Sequence, residues 1–341
     1  MADNTGIGWT EATWNPVVGC SIVSAGCTHC YAMAQAARIE RMAAGAGKET
    51  HYAGTTKPSK AGAVWTGKMV EAPLHILTQP LRWSRPRRIF VNSMSDLFHE
   101  DVPDAWVDKV FAVMVLAKDH TFQILTKRAD RMRAYMERMA AIWEDDARFQ
   151  EIFGGLSLDL TNSPCAIGAM EDVPFPPPNV WLGVSAEDQR AADARVPHLT
   201  QTPAAIRFVS YEPAIGPIDF RRIVERNDDE ASHWYLDVFG AVLWDDANGV
   251  ISDNGQDVTV VDWVIVGGES GPRARQFHLG WARDVVTAAE GTSTAVFVKQ
   301  LGSCPIDSEP LTIRHKKGED MSEWPESIRV QQYPAGKGGA A

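Results

Sequence analysis

From residue 80 onward the chain repeats one unit: a short run of β-branched and aromatic residues, a polar cluster, then a stretch with helical periodicity. The runs are "RRIFVNSMSD" (87–96), "FQILTKR" (122–128), "VWLGVSAED" (180–188), "IRFVSYEP" (206–213), "VDWVIVGGES" (261–270) and "AVFVKQLG" (295–302). They are continuously apolar, as strands buried on both faces must be, so they predict a parallel sheet covered by helices and argue against a sandwich. Upstream, "EATWNPVVG" supplies a short first strand. The expected fold class is therefore α/β, a partial (β/α) barrel of about six to seven parallel strands with a small β insertion.

The covering helices are legible between the runs. "PDAWVDKVFAVMVLAK" (103–118) opens with proline at the first helical position and puts Val107, Val110, Phe111, Met114 and Ala117 on one face. Similar stretches start at Ala129, Ala186 and Gly280. Two segments interrupt the rhythm. Residues 154–179 read as a long proline-rich connection, and residues 226–260 as a small β-meander turned at Asn248-Gly249 and Asn254-Gly255. The expected organisation is one barrel over residues 1–304, with a cysteine loop at 19–31 and the β insertion at about 222–260, followed by an extension, 305–341, with little core.

In a βα barrel, functional side chains gather where strands end and βα loops begin. Each run here ends in chemically capable residues: Ser93, Ser95 and Asp96; Thr126, Lys127 and Arg128; Ser185, Glu187 and Asp188; Ser210, Tyr211 and Glu212; Gly268, Glu269 and Ser270; Lys299 and Gln300. The cysteine loop follows the first strand and so belongs to the same rim. Polar loops alone would account for many of these residues, but less well for their recurrence at one end of every strand.

Three of the five cysteines, Cys20, Cys27 and Cys30, fall within eleven residues. The start "MADNTGIGWTEA" has neither the basic opening nor the apolar core of a secretory signal, and no apolar run is long enough to span a bilayer. The expected location is the cytoplasm, where disulfides are rare and clustered cysteines are better read as metal or catalytic thiolates. The formal net charge of −11 gives no global attraction to nucleic acid or anionic membranes. "RWSRPRR" (82–88) and "TKRADRMR" (126–133) are the local basic exceptions.

The spacing Cys20-x6-Cys27-x2-Cys30 offers three thiolates for three irons of a [4Fe-4S] cluster, leaving one iron open. Gly19 and Gly26 permit a tight fold around a bulky core. A structural zinc site is the competing reading, but it needs four protein ligands and usually pairs two knuckles. No second knuckle exists in the sequence, His29 is adjacent to Cys30, and Cys165 and Cys304 are isolated.

The loop resembles the cluster-binding loop of radical S-adenosylmethionine enzymes, whose usual spacing is Cys-x3-Cys-x2-Cys with an aromatic residue before the last cysteine. Here the first gap is six residues, and His29 holds the aromatic position with Tyr31 close by. Over residues 7–302, "TWNPVVGC", "GCTHCYA", "FVNSMSDLFHE", "ILTKR" and "GGESG" resemble a phage and bacterial three-cysteine family of unassigned function. The order of cysteine loop, Ser-Asp and Leu-Thr-Lys is also similar to that of spore photoproduct lyase and its relatives.

These resemblances imply that Cys20, Cys27 and Cys30 ligate a [4Fe-4S] cluster and that S-adenosyl-L-methionine completes the open iron. One electron then yields a 5′-deoxyadenosyl radical that abstracts hydrogen from a substrate, with the cofactor carrying the hard chemistry. Implied cofactor-binding residues are Ser95, Asp96, Ser185, Glu212 and Tyr31, with Lys127 or Arg128 meeting a carboxylate or phosphate. Lys127, Glu269 and Cys304 are candidate catalytic residues. Arg273, Arg275 and His278 would face substrate, and Trp65, Trp83 and Trp234 could stack bases. Implied partners are a flavodoxin- or ferredoxin-type electron donor, a DNA or RNA substrate and a partner protein, without a membrane. The alternatives are the same radical chemistry on a protein or small metabolite, and a noncatalytic zinc-stabilised binding module.

Overall fold

All seven expected runs form strands in the computed structural model, which describes residues 5–163, 166–229, 232–240, 242–245, 249–252 and 261–335. They are β1 (Ala12–Trp14), β2 (Arg88–Val91), β3 (Thr121–Thr126), β4 (Val180–Ser185), β5 (Ile206–Tyr211), β6 (Trp263–Gly267) and β7 (Ala295–Gln300). Their order in the sheet is their order in the chain, with β1 and β7 at its two ends. This is the partial (β/α) barrel that the alternation requires: each strand is laid beside the last by a crossover that carries a helix, except between β5 and β6, where the β insertion takes that place. The chain divides into two compact units, one of residues up to 182 with 203–205, the other of 183–202 with 206–335.

In the first unit, β1 pairs parallel with β2 (Ala12↔Ile89, Trp14↔Val91) and β2 with β3 (Arg88↔Thr121, Val91↔Ile124). The helices are α1 (Tyr31–Gly45), α2 (Asp104–Leu116) and α3 (Ala129–Trp143). Trp14, Ile89, Phe111 and Phe122 are fully buried. The rings of Trp14 and Phe122 lie 5.7 Å apart, and the Trp14 indole N–H donates to Ile76 O at 2.9 Å. Pro103 sits one position earlier than expected, as the N-cap of α2. That helix is buried on more than one face, down to Asp108, whose carboxylate accepts from the Tyr135 hydroxyl and from Arg138, both at 2.9 Å. The supposed proline-rich connection contains helices at Gly155–Thr161 and Ala166–Glu171, because four of its five prolines crowd into its last six residues. Cys165 lies outside the described residues.

In the second unit, β6 pairs parallel with β5 (Trp263↔Phe208) and with β7 (Val264↔Val296). The helices are α4 (Gln189–Thr200) and α5 (Leu279–Ala289). Helix α4 starts three residues later than its first helical-looking residue, since the Asp188 carboxylate caps it by accepting from Ala191 N–H. The insertion is an antiparallel meander of strands Ile223–Asp229, Ser232–Asp237, Val242–Asp245 and Gly249–Ser252. Asn248 and the Asn254-Gly255 pair lie outside the described residues. The extension carries more core than expected. Trp324 and Ile328 are buried, the Trp324 indole donates to Gly318 O, and Val298 N–H of β7 donates to Val330 O at 2.8 Å. A few apolar anchors spaced through a polar segment are easily overlooked in sequence. No helix among the described residues is long and apolar enough to cross a membrane.

Candidate functional site

Two asparagines join the cysteine loop to the rim beyond β2. Asn15, after β1, accepts from Ser93 Oγ at 3.2 Å and from Met94 N–H at 3.0 Å, while Asn92 Oδ1 accepts from Val17 N–H at 3.3 Å. Gly19 then donates to Met94 O and forms an isolated parallel bridge with Ser95. Its φ of +94° and the Lys68 carbonyl oxygen, which would stand 2.0 Å from any Cβ, exclude every other residue. The glycine before Cys20 thus serves backbone packing against Lys68. Beyond it the loop makes a 3-10 turn at Ala25–Cys27, and Cys30 caps α1.

The loop has an apolar floor. Ala32, Met33 and Ala36 of α1 are buried with Val18, Tyr52, Trp65 and Met94, and both Cys20 and Cys30 pack against this cluster. Burial pushes the Cys20 thiol up to about 12; Asp96 adds to the rise and Arg128 opposes it. Burial also raises the Cys30 thiol, with Cys27 adding to the rise and Lys127 among the groups opposing it. Cys20 and Cys30 thus lean on one apolar cluster, with Cys27 and Lys127 acting on Cys30 and Arg128 on Cys20. Among the described residues, no three His, Cys, Asp or Glu side chains gather as ligands for a single metal ion.

Asp96 and Arg128 form the hub of this neighbourhood. The buried Asp96 carboxylate accepts from the Thr126 hydroxyl (2.6 Å), Phe98 N–H (3.1 Å), Lys127 N–H (2.9 Å) and Arg128 Nη1 (3.1 Å). Arg128 also donates from Nε to Glu100 (3.1 Å), from Nη2 to Ser21 Oγ (2.7 Å) and from Nη1 to Cys20 Sγ (3.8 Å). Ser95 keeps a buried hydroxyl with no hydrogen-bond partner among the described residues. An unsatisfied buried donor beside Gly19 is the kind of group a ligand would satisfy.

His99 completes the network. Its Nδ1 accepts from Asp101 N–H at 3.1 Å, so Nε2 carries the hydrogen and donates to Ser21 Oγ at 2.8 Å. Burial, and after it Arg128, depress the ring below its ordinary 6.5. The unfolded chain therefore takes up the second ring proton more readily than the folded one. This contribution to stability is present above pH 6.5 and is lost as the pH falls below it. Denaturant melts of the metal-free protein should show that decline, and His99→Gln should flatten it.

The other candidates fall into separate groups. The Tyr31 hydroxyl donates to Ser93 O at 3.1 Å, on an otherwise exposed side chain. In the second unit, Glu212 pairs with Lys299 at 2.6 Å, and a Cβ on Gly267 would press into the Glu212 carboxyl at 3.3 Å. A Cβ on Gly268 would meet the Leu301 carbonyl oxygen at 2.3 Å. Gly267 and Gly268 of "GGESG" thus admit protein groups. Glu269 is buried and held by Arg275, which donates from its backbone N–H (2.9 Å), Nε (3.0 Å) and Nη2 (2.8 Å), so Arg275 serves that pair. Ser185 is buried; its carbonyl accepts from Arg195, which also pairs with Glu187 at 2.9 Å. The Cys304 carbonyl accepts from Phe277 N–H.

The arginines of the two basic segments are largely engaged within the first unit. Arg82 donates to Thr78 O, Arg88 pairs with Glu11, Arg131 with Asp104 and Arg133 with Glu137, while Arg87 lies 4.9 Å over the Trp83 ring. Trp65 belongs to the apolar floor. The residues that sequence reasoning passed over are Ser21, His99 and Glu100. Their signal was position, Ser21 in the loop itself and His99 and Glu100 at the end of the "FVNSMSDLFHE" stretch.

Fold and loop together define a class: a partial parallel (β/α) barrel with a three-cysteine loop following its first strand. The chain belongs to the family described as "Protein of unknown function (DUF5131)", which it matches over residues 4–332. No curated protein and no solved structure matches it.

Proposed function

We propose that the protein is a radical S-adenosylmethionine enzyme whose Cys20, Cys27 and Cys30 hold a [4Fe-4S] cluster. The observation that supports this reading is the setting of the thiols: Cys20 and Cys30 lean on one apolar cluster, Cys27 acts electrostatically on Cys30, and Lys127 and Arg128 offset thiolate charge. The residues fit such a group. Three thiolates suit three corners of a cube, and the unpartnered Ser95 hydroxyl supplies a donor at the bridge to Gly19. When bound, the cluster would deliver one electron to S-adenosylmethionine and release the 5′-deoxyadenosyl radical.

The chain's own residues would orient and shield. The apolar floor limits water on one side of the thiols, and Asp96 orients Arg128 toward Cys20. With all four of its contacts made inside the protein, Asp96 acts as a scaffold for the rim, and Ser95 is the better candidate for direct contact with S-adenosylmethionine. Nucleic acid is the substrate class favoured by the order of motifs. The arginines of the two basic segments contribute little to that choice, because most of them already have internal partners.

Anaerobic reconstitution with iron and sulfide, followed by dithionite and S-adenosylmethionine, tests the reading. It expects about four irons per chain and formation of 5′-deoxyadenosine. One zinc with no sulfide would end it. Gel shifts with DNA and RNA test the substrate class, since phosphate contacts give affinity that falls steeply with salt.

A further inference from the structure

We infer that Arg128 is a positioning residue for the metal centre: its guanidinium donates to the Cys20 sulfur and thereby raises the reduction potential of the cluster held there. This rests on the reading of Cys20 as a cluster ligand. The argument begins with how firmly the guanidinium is placed. Its side chain is 9% exposed and is gripped by three partners from two segments of the chain: Asp96 and Glu100 beyond β2, and Ser21 in the cysteine loop. With those partners fixing the plane, Nη1 stands 3.8 Å from Cys20 Sγ. A rigid fork serves this purpose better than an ammonium on a flexible stem, because it can bind two carboxylates and a hydroxyl and still present an N–H to sulfur.

The sign of the effect follows from charge. A hydrogen bond from a cation draws electron density from a ligating thiolate and stabilises the reduced, more negative cluster over the oxidised one. Removing the guanidinium takes away that donor and also leaves the Asp96 and Glu100 carboxylates unopposed near Cys20. Both changes make reduction harder. Lys127 is a weaker source of the same effect on the Cys30 side, where its charge opposes the rise of that thiol.

A purely structural role, in which Arg128 only ties the loop to the rim, would leave the potential of a loaded protein unchanged. The test is a potentiometric titration, followed by electron paramagnetic resonance, of anaerobically reconstituted wild type, Arg128→Lys and the double variant Asp96→Asn/Arg128→Met. The double variant removes the buried carboxylate charge that Arg128→Met alone would strand. At fixed potential the double variant, which loses the sulfur donor together with a carboxylate that opposes reduction, should shift the oxidised-to-reduced ratio about threefold toward oxidised, roughly 28 mV for one electron. Arg128→Lys should show a smaller shift in the same direction. Loaded variants with the wild-type midpoint would overturn the assignment while leaving the cluster reading intact. A wild-type protein that takes up no iron would overturn both.

Discussion

Alanine at Cys20, Cys27 or Cys30 will strip the reconstituted protein of iron and sulfide, each variant alone being sufficient. A cube held by three thiolates has one ligand per bound corner, so each cysteine lost leaves a corner without its ligand. Iron should fall from about four per chain to a small residue, with 5′-deoxyadenosine formation lost in parallel. Cys304→Ala is the internal control: that residue lies in the second unit, its carbonyl bonded to Phe277 N–H, and its removal should leave iron uptake unchanged. Folding should survive all four substitutions, since none of these thiols is among the fully buried side chains that fill the core. Circular dichroism checks that. Iron retained in all three loop variants would mean that the metal sits elsewhere, and the radical reading would go with it.

The strands were legible because burial on both faces leaves an unbroken apolar signature, as in "VWLGV" and "WVIVG", where every residue of the strand is buried. The three cysteines were legible as a candidate group for a comparable reason: their spacing is local, within eleven residues. What joins Asp96 to Arg128 is different. They are 32 residues apart, and their contact depends on the β2–β3 register, which sets the rim beyond Val91 beside the rim beyond Ile124. No local pattern encodes that. Nor could sequence reveal which neighbour a glycine admits: the space that a side chain at Gly267 or Gly268 would need is taken by Glu212 and by Leu301. The same limit applies to charge. Arginine-rich segments look like a basic surface until the partners of Arg82, Arg88, Arg131 and Arg133 are known.

Asp96→Ala should be among the most destabilising substitutions in the first unit, costing about 3–5 kcal/mol. The loss has two parts. Four donors, the Thr126 hydroxyl, two backbone N–H groups and Arg128, lose their acceptor in a buried setting. Arg128, itself 9% exposed, is then a nearly buried cation left with Glu100 as its carboxylate partner, and Glu100 is 59% exposed. Asp96→Asn keeps the shape but turns an amide toward groups that donate, and should cost less, about 1–3 kcal/mol. Combined with Arg128→Met, Asp96→Asn should cost less than the sum of the two single changes, because the pair is then removed together. Urea midpoints at constant slope measure all of these. The measurement also separates two roles for Asp96. A carboxylate reserved for S-adenosylmethionine would be strained by its own burial, so its removal would leave stability unchanged or improved and weaken only ligand binding. A scaffold carboxylate would lower the urea midpoint of the metal-free protein before any ligand is added, and the four internal hydrogen bonds favour that result.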